Sequence, residues 1–320
     1  MLLILPKSGC FLAVFDPVLS PASPQADALA RLFVVTLFVC AVILVIVSAL
    51  VLLCIVRFRR KAGDNEPKQI DGNEKLEVSW TAASIVILIG LFTLTVRAMR
   101  IADPVPDREP DLTVIGHQWW WEVRYPDGTV GANEIHIPVQ SNLLVRLESA
   151  DVIHDFWVPQ LGRKMDMVPG HPNLIWISAN TPGEYLGACA EYCGAEHAWM
   201  RIQVDAQTAT DYEKWLAQQR QSAQVPVSAA ERRGFQIFRE KTCINCHRIK
   251  GVNPDTSVAP DLTHFAERAT IATGVLKNTP ADLRFWLSNP QAVKPACHMP
   301  DFQLRQDEVE ALAEYLKTMN

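Results

Sequence analysis

Hydrophobic positions are spread unevenly along this chain. From Leu32 to Val56 they run without a single charged residue, and only Thr36 and Ser48 carry hydroxyls. At a rise of about 1.5 Å per residue, such a run in helical form is long enough to cross the roughly 30 Å hydrocarbon core of a bilayer. A second charge-free run, Val78 to Val96, lies near the lower end of the spanning length. The polar, turn-rich KAGDNEPKQIDGNEK separates the two. The pattern therefore predicts two membrane helices, about 32–56 and 78–98, folded as a hairpin with both chain ends on one side. A buried hairpin in a soluble protein is the alternative, and the length of the first run counts against it.

Beyond these runs the period changes. ADPVPDREPD, residues 102–111, is a proline-rich link. The segments LTVIGHQWWWEVRY, EIHIPVQ, LLVRLES, LIWIS and RIQV are short β-rich runs bounded by Pro, Gly, Asn and Asp. Such spacing predicts a sandwich or barrel. Trp119, Trp120 and Trp121 cannot all face one core, because strand side chains alternate, so at least one is expected on the outside. TATDYEKWLAQQR then places Tyr212, Trp215 and Leu216 on one helical face, and QSAQVPVS reads as a linker. The last stretch is helical. Ser228 and Glu231 have capping-box spacing, and Val309, Leu312 and Leu316 line one face of a terminal helix from about Gln306. That face is expected to pack against Gly234 and Phe238, with the small Gly234 permitting a close crossing. The expected organisation is an N-terminal segment (1–28), a helix pair (29–101), a strand domain (102–207), a closing helix and linker (208–228) and a helical domain (229–320).

Charge adds orientation. Arg57, Arg59, Arg60 and Lys61 crowd the end of the first membrane run, with Lys68 and Lys75 beyond. An excess of Lys and Arg marks the cytoplasmic loop, here 57–77, so the chain from about residue 100 is expected outside. Arg97 and Arg100 weaken that contrast without reversing it. The net charge of −5 is mild and comes with no basic stripe, so it gives no reason to expect a nucleic-acid partner. MLLILPKSGCFLAVF ends its first part in Gly-Cys, but Lys7 stands where a lipoprotein signal has an aliphatic residue. Lipidation of Cys10 and a displaced start both remain open. Cys40 and Cys54 read as small hydrophobes.

Two clusters carry chemistry. CAEYCGAEHAWM sets Cys189 and Cys193 four apart, followed by His197 and Met200. Thiolate and thioether select soft metals, imidazole suits copper and zinc, and the methionine argues for copper over a closed structural zinc site. A bare C-x3-C would also suit a surface disulfide. The second cluster, Cys243-Ile-Asn-Cys246-His247, is the covalent attachment signature of c-type haem, and C-x-x-C alone would suit a redox disulfide or half a zinc site. PACHMPDF later offers His298 and Met299 side by side, with Cys297 next to them.

These residues carry a resemblance. The 189–200 stretch, with HDFWVPQLGRKMDMVPG upstream, resembles the binuclear copper A loop of subunit II of haem-copper cytochrome c oxidases. Together with the C-terminal C-x-x-C-H domain, the whole chain is similar to subunit II of the caa type. The resemblance implies a multi-domain membrane protein. Its parts are a two-helix transmembrane hairpin, a cupredoxin-like Greek-key β-barrel and an all-α class I cytochrome c domain. It implies copper ligation by His154, Cys189, Cys193, His197, Met200 and the backbone carbonyl of Glu191, whose side chain also reaches a magnesium ion shared with subunit I. Haem c would attach at Cys243 and Cys246, with His247 and Met299 as axial ligands and Pro260 supplying a carbonyl to the imidazole. His298 is the alternative sixth ligand, and it would lower the potential. Trp119 matches the residue at which electrons enter, with packing on a neighbouring subunit as its plainer role, and Trp120 replaces a more usual tyrosine. Glu77, before Trp80, matches the mouth of a proton channel, where an interfacial acid is the plainer reading.

The implied activity is electron input. An external cytochrome c or equivalent donor reduces haem c, and the electron passes to copper A and then to haem a of subunit I. There dioxygen is reduced to water with proton translocation. Subunits I and III and membrane lipid are the implied partners, and a bacterial inner membrane with both redox domains on the periplasmic side is the implied setting. The dioxygen site itself is not in this chain. Two other readings stay open: the input subunit of a copper A nitric oxide reductase, and a free-standing membrane-anchored carrier.

Overall fold

Two long helices, α1 (Pro24–Arg57) and α2 (Glu74–Ala102), hold the apolar runs. The computed structural model describes residues 18–320 except 61, 62, 64, 65, 67, 68, 254, 255 and 257. Cys10, Lys61 and Lys68 lie outside the described residues. Most large apolar side chains of both helices are exposed, from Phe33 to Val56 and from Val78 to Phe92, as suits helices whose solvent is lipid. Their hydroxyls bond back to the helix itself: Thr36 to Leu32 O, Thr81 to Glu77 O and Thr93 to Ile89 O, each at 2.8 Å. Residues 27–104 form one compact unit, and the described residues before it group with Val105–Asn320 in another.

In the second unit, ten strands make two five-stranded sheets. The strands are β1 (Leu112–His117), β2 (Trp120–Arg124), β3 (Val130–Ala132), β4 (Glu134–Pro138), β5 (Leu143–Ser149), β6 (His154–Trp157), β7 (Met165–Met167), β8 (Asn173–Ile177), β9 (Gly183–Cys189) and β10 (Arg201–Gln207). One sheet has the order β3-β2-β1-β5-β8 and the other β4-β10-β9-β6-β7. Parallel β1–β5 and β4–β10 pairs among otherwise antiparallel neighbours mark a Greek-key closure. Alternate residues from both sheets share one core, including Val114, Trp121, Val145, Phe156, Ile175 and Val204. The sequence pattern missed β3, β6, β7 and β9. β9 is rich in glycine for a steric reason: a Cβ on Gly187 would stand 2.3 Å from Trp157 O of the paired β6.

The tryptophan triplet divides by geometry. Trp119 falls in the β1–β2 turn and is half-buried. Trp120 stacks on His117 with ring centroids 4.3 Å apart, and Trp121 points into the core. None of the three is fully exposed, because Trp120 finds a cover on the outer face of its sheet and Trp119 under the C-terminal domain.

Helix α3 (Ala209–Gln219), capped by Thr208, lays Trp215 over His136 at 4.0 Å and closes the strand domain. The C-terminal domain contains α4 (Ala229–Glu240), α5 (Pro280–Ser288), α6 (Pro290–Val293) and α7 (Gln306–Leu316), with a two-stranded ribbon Thr270–Ile271/Leu276–Lys277. Ser228 and Glu231 form a reciprocal capping box at α4. α4 crosses α7 closely at Gly234, where a Cβ would meet Ala311 O at 2.0 Å. Ile237, Phe238, Val309, Leu312 and Leu316 fill the contact.

Candidate functional site

The β9–β10 connection carries the first site. β9 ends at Cys189 and β10 starts at Arg201, with Arg201 paired to Ala188, so the loop between them leaves and returns at one place. Cys189 N donates to Met200 O (2.9 Å), and a short 3-10 turn, His197–Trp199, brings Met200 back to the cysteines. Gly194 takes φ +116°, where its Cβ would meet the Trp119 ring at 2.9 Å. From the other side β6 begins with His154, fully buried beneath Gly116 of β1, whose Cβ would stand 2.7 Å from the imidazole.

Six donor atoms converge there. The thiols of Cys189 and Cys193 lie 3.8 Å apart. Cys189 Sγ is 3.9 Å from His154 Nδ1 and 3.1 Å from Glu191 O. Cys193 Sγ is 3.6 Å from His197 Nδ1 and 3.8 Å from Met200 Sδ. His154 Nε2 lies 2.8 Å from Asp151 Oδ1; a carboxylate accepts, so Nε2 carries the proton and Nδ1 presents its lone pair to the thiols. Burial opposes the charge on both, but this bond holds the Asp151 carboxyl low and, with Cys189, raises His154. The thiol of Cys193 holds Cys189 well below the usual thiol range, and Cys189 in turn, with burial, pushes Cys193 up. Two soft anions, two imidazole nitrogens, a thioether and a carbonyl in a buried pocket fit copper, and they meet the C-x3-C disulfide alternative with a separation far beyond a bond.

The second site opens the C-terminal domain. After α4 the chain turns through Thr242 at φ 61° into a 3-10 turn, Cys243–Asn245. Cys246 and His247 follow, with His247 N bonded to Cys243 O (3.0 Å). Asn253 fastens this turn, donating to Ile244 O (2.6 Å) and His247 O (2.8 Å). His247 Nδ1 donates to Pro260 O at 2.8 Å, which leaves Nε2 for a metal, and burial lowers the ring's pKa. Cys243 and Met299 both pack against the same apolar cluster as Phe235, Ile244, Leu276 and Leu304. Half-exposed apolar and ligating groups around one core suit a flat apolar group such as haem. Gln291 Nε2 ties the later loop by donating to Cys297 O and Met299 O, both at 2.8 Å. Cys297 is half-buried and donates to Met299 O (3.5 Å); burial raises its pKa, which quiets the thiol. His298 turns the other way, onto Trp119, with ring centroids 5.1 Å apart.

Glu77 and the side chain of Glu191 make local contacts of their own. Glu77, in the first turn of α2, accepts from Asn73 N (3.3 Å) while Asn73 accepts from Leu76 N (3.2 Å), so the acid serves as a helix cap. The exposed Glu191 side chain accepts from Tyr192 N (3.2 Å). Asp151, Asn253, Gln291 and Gln118, whose Nε2 donates to Cys193 O (2.7 Å), escaped the sequence reading. Asp151, three residues before His154, offered a faint signal as a carboxylate near a ligand; the others hold backbone and leave no pattern.

Known proteins match all three parts of the chain. "Cytochrome C oxidase subunit II, transmembrane domain" matches residues 18–96, "Cytochrome C oxidase subunit II, periplasmic domain" residues 129–207, and "Cytochrome c" residues 231–320. Cytochrome c oxidase subunit 2 of Alkalihalophilus pseudofirmus is 35% identical over 321 residues, covering 98% of this chain and 93% of that one. The protein of the same name from Bacillus subtilis is 31% identical over 333 residues, covering 97% and 93%. The periplasmic domain of subunit II of cytochrome oxidase from Bradyrhizobium japonicum is 30% identical, covers 36% of this chain and 95% of that one, and superposes with a TM-score of 0.34. The two apolar helices are accordingly a membrane anchor and the strand domain a periplasmic one, with copper and haem c binding implied by the matched domains. The chain belongs to the cytochrome c oxidase subunit II family, the electron-input subunits of an oxidoreductase complex.

Proposed function

We propose that this chain admits electrons to a cytochrome c oxidase through two centres of its own, a binuclear copper A site and one covalent haem c. The observation that carries the proposal is the pair of buried thiols 3.8 Å apart with four further donors within 4 Å of one or other sulfur. Cys189 and Cys193, with His154, His197, Met200 and the carbonyl of Glu191, would hold the two copper ions. Cys243 and Cys246 would anchor the haem, and His247 and Met299 would hold its iron; Gln291 fixes the Met299 backbone while His298 faces Trp119. When bound, these two groups would supply one-electron transfer between an external cytochrome c or equivalent donor and haem a of subunit I, where dioxygen is reduced to water with proton translocation.

The residues around the sites set the conditions for that transfer. Sharing one charge change over two thiolates limits reorganisation. Burial of His154, Cys189, Cys193 and Met200 excludes water, so the electrostatics of the site are fixed in advance. Trp119, bonded through Nε1 to Cys193 O (3.0 Å), is the contact through which electrons arrive. Subunits I and III are the partners within the complex. Glu191 reaches a magnesium ion at the boundary with subunit I, and Glu77 lies at the mouth of a proton channel. Both redox domains occupy the periplasmic side of a bacterial inner membrane, the loop 57–77 is cytoplasmic, and the domains divide near residues 28, 101, 207 and 228.

Purification of the chain from its native membrane in mild detergent tests the assignment to an oxidase. Haem a and cytochrome c-dependent oxygen uptake are expected to travel with it. A preparation with full copper and haem c but neither of these would make it a free-standing carrier.

A further inference from the structure

The C-terminal domain touches the strand domain through buried polar contacts that the electron-transfer reading does not require. Lys294, at the end of α6, is 4% exposed, and its ammonium reaches three oxygens. These are Thr273 Oγ1 at 3.2 Å, the backbone carbonyl of Trp119 at 3.3 Å and Glu196 Oε2 at 3.6 Å. Glu196 belongs to the metal loop, is 1% exposed, and has no hydrogen-bond partner for Oε2. An acid and a base buried alone would each be costly to keep charged, so each demands the other, and they come from different domains. A second anchor lies elsewhere on the same interface. The buried carboxylate of Glu134 accepts from Thr270 N (3.0 Å), Thr270 Oγ1 (3.1 Å) and Ala269 N (3.4 Å). Two separated anchors fix orientation as well as distance.

The contact that this docking preserves runs directly between the two sites. His298, the neighbour of Met299, faces the Trp119 ring at 5.1 Å, and Trp119 Nε1 bonds to Cys193 O at 3.0 Å. Lys294 holds the backbone of that same tryptophan. We propose that Lys294 is a positioning residue: by joining Glu196 of the metal loop and the Trp119 carbonyl to the haem-bearing domain, it keeps His298 against Trp119 and makes haem-to-copper transfer proceed from a docked state. The inference rests on the electron-input reading above.

The test uses the full-length holoprotein in detergent, wild type and Lys294→Met, with copper and haem c quantified in each sample. Pulsed electron paramagnetic resonance between the oxidised haem iron and the copper pair gives their distance distribution, and photoreduction of the haem gives the rate at which copper is reduced. One narrow distance is expected for the wild type. Lys294→Met should broaden it and slow the transfer about tenfold or more, as the docked fraction falls, with copper and haem contents unchanged. A broad distribution in the wild type would overturn the proposal, and so would a variant that keeps both the wild-type distance and rate. Absence of the copper pair or of haem c from the wild type would instead sink the reading on which it rests.

Discussion

The copper site draws its donors from the end of β9, the start of β6 and the loop that returns to β10, so paired strands fix both ends of the loop that carries the rest. The haem signature instead draws its donors from turns, and Cys246 is exposed while Cys243, His247 and Met299 are half-buried. One site is assembled by the scaffold before any metal arrives. The other presents an apolar face, two thiols and two candidate iron ligands that only a bound group can cover. The difference reflects what each centre brings. Metal ions add charge and little volume, so the protein must supply the enclosure; a haem adds a large apolar surface, so it becomes part of the core.

The comparison breaks first at haem attachment. Cys243→Ala with Cys246→Ala should cost the C-terminal domain more than about 4 kcal/mol, as expected when a tightly held group is lost. Copper should remain in the strand domain, and calorimetry with metal analysis would read both. Retention of a sharp C-terminal transition would mean that the helices suffice without the group.

Both domains use a glycine where backbones approach closely. Gly234→Val, pressing on Ala311 O, should destabilise the C-terminal domain by about 3 kcal/mol or more without lowering copper content. A change below about 1 kcal/mol in chemical denaturation would show that the α4–α7 crossing relaxes easily. The copper side is sharpened by a milder change. Asp151→Asn leaves the volume intact but weakens the bond that fixes the His154 ring, and copper affinity should fall about 10- to 100-fold in competition titrations. An unchanged affinity would mean that burial under Gly116 orients the ring alone. The smallest effect belongs to α3, where Thr208→Ala removes the cap and should cost about 1 kcal/mol while leaving both centres intact.

What could be read from the sequence was what is local. Charge-free runs, the C-x-x-C-H signature, the capping box at Ser228 and the helical face ending in Leu316 each declare themselves within a few residues. β6 and β9 did not, because one is short and the other trades strand-forming side chains for glycine at Gly187 to let its neighbour approach. Cys189 therefore looked like a loop residue although it ends a strand. Glu77 was legible as an acid beside a membrane helix but not as its cap, which depends on Asn73. Lys294 and Glu196 were beyond reach altogether: their meaning lies in a contact between domains, and neither carries a local pattern.

The central claim is that Cys189 and Cys193 bridge two copper ions rather than hold one. Metal analysis with electron paramagnetic resonance of the intact protein addresses it most directly. The account predicts two coppers per haem c and a hyperfine pattern shared over two copper nuclei. One copper per haem with splitting from a single nucleus, or zinc in its place, would contradict it.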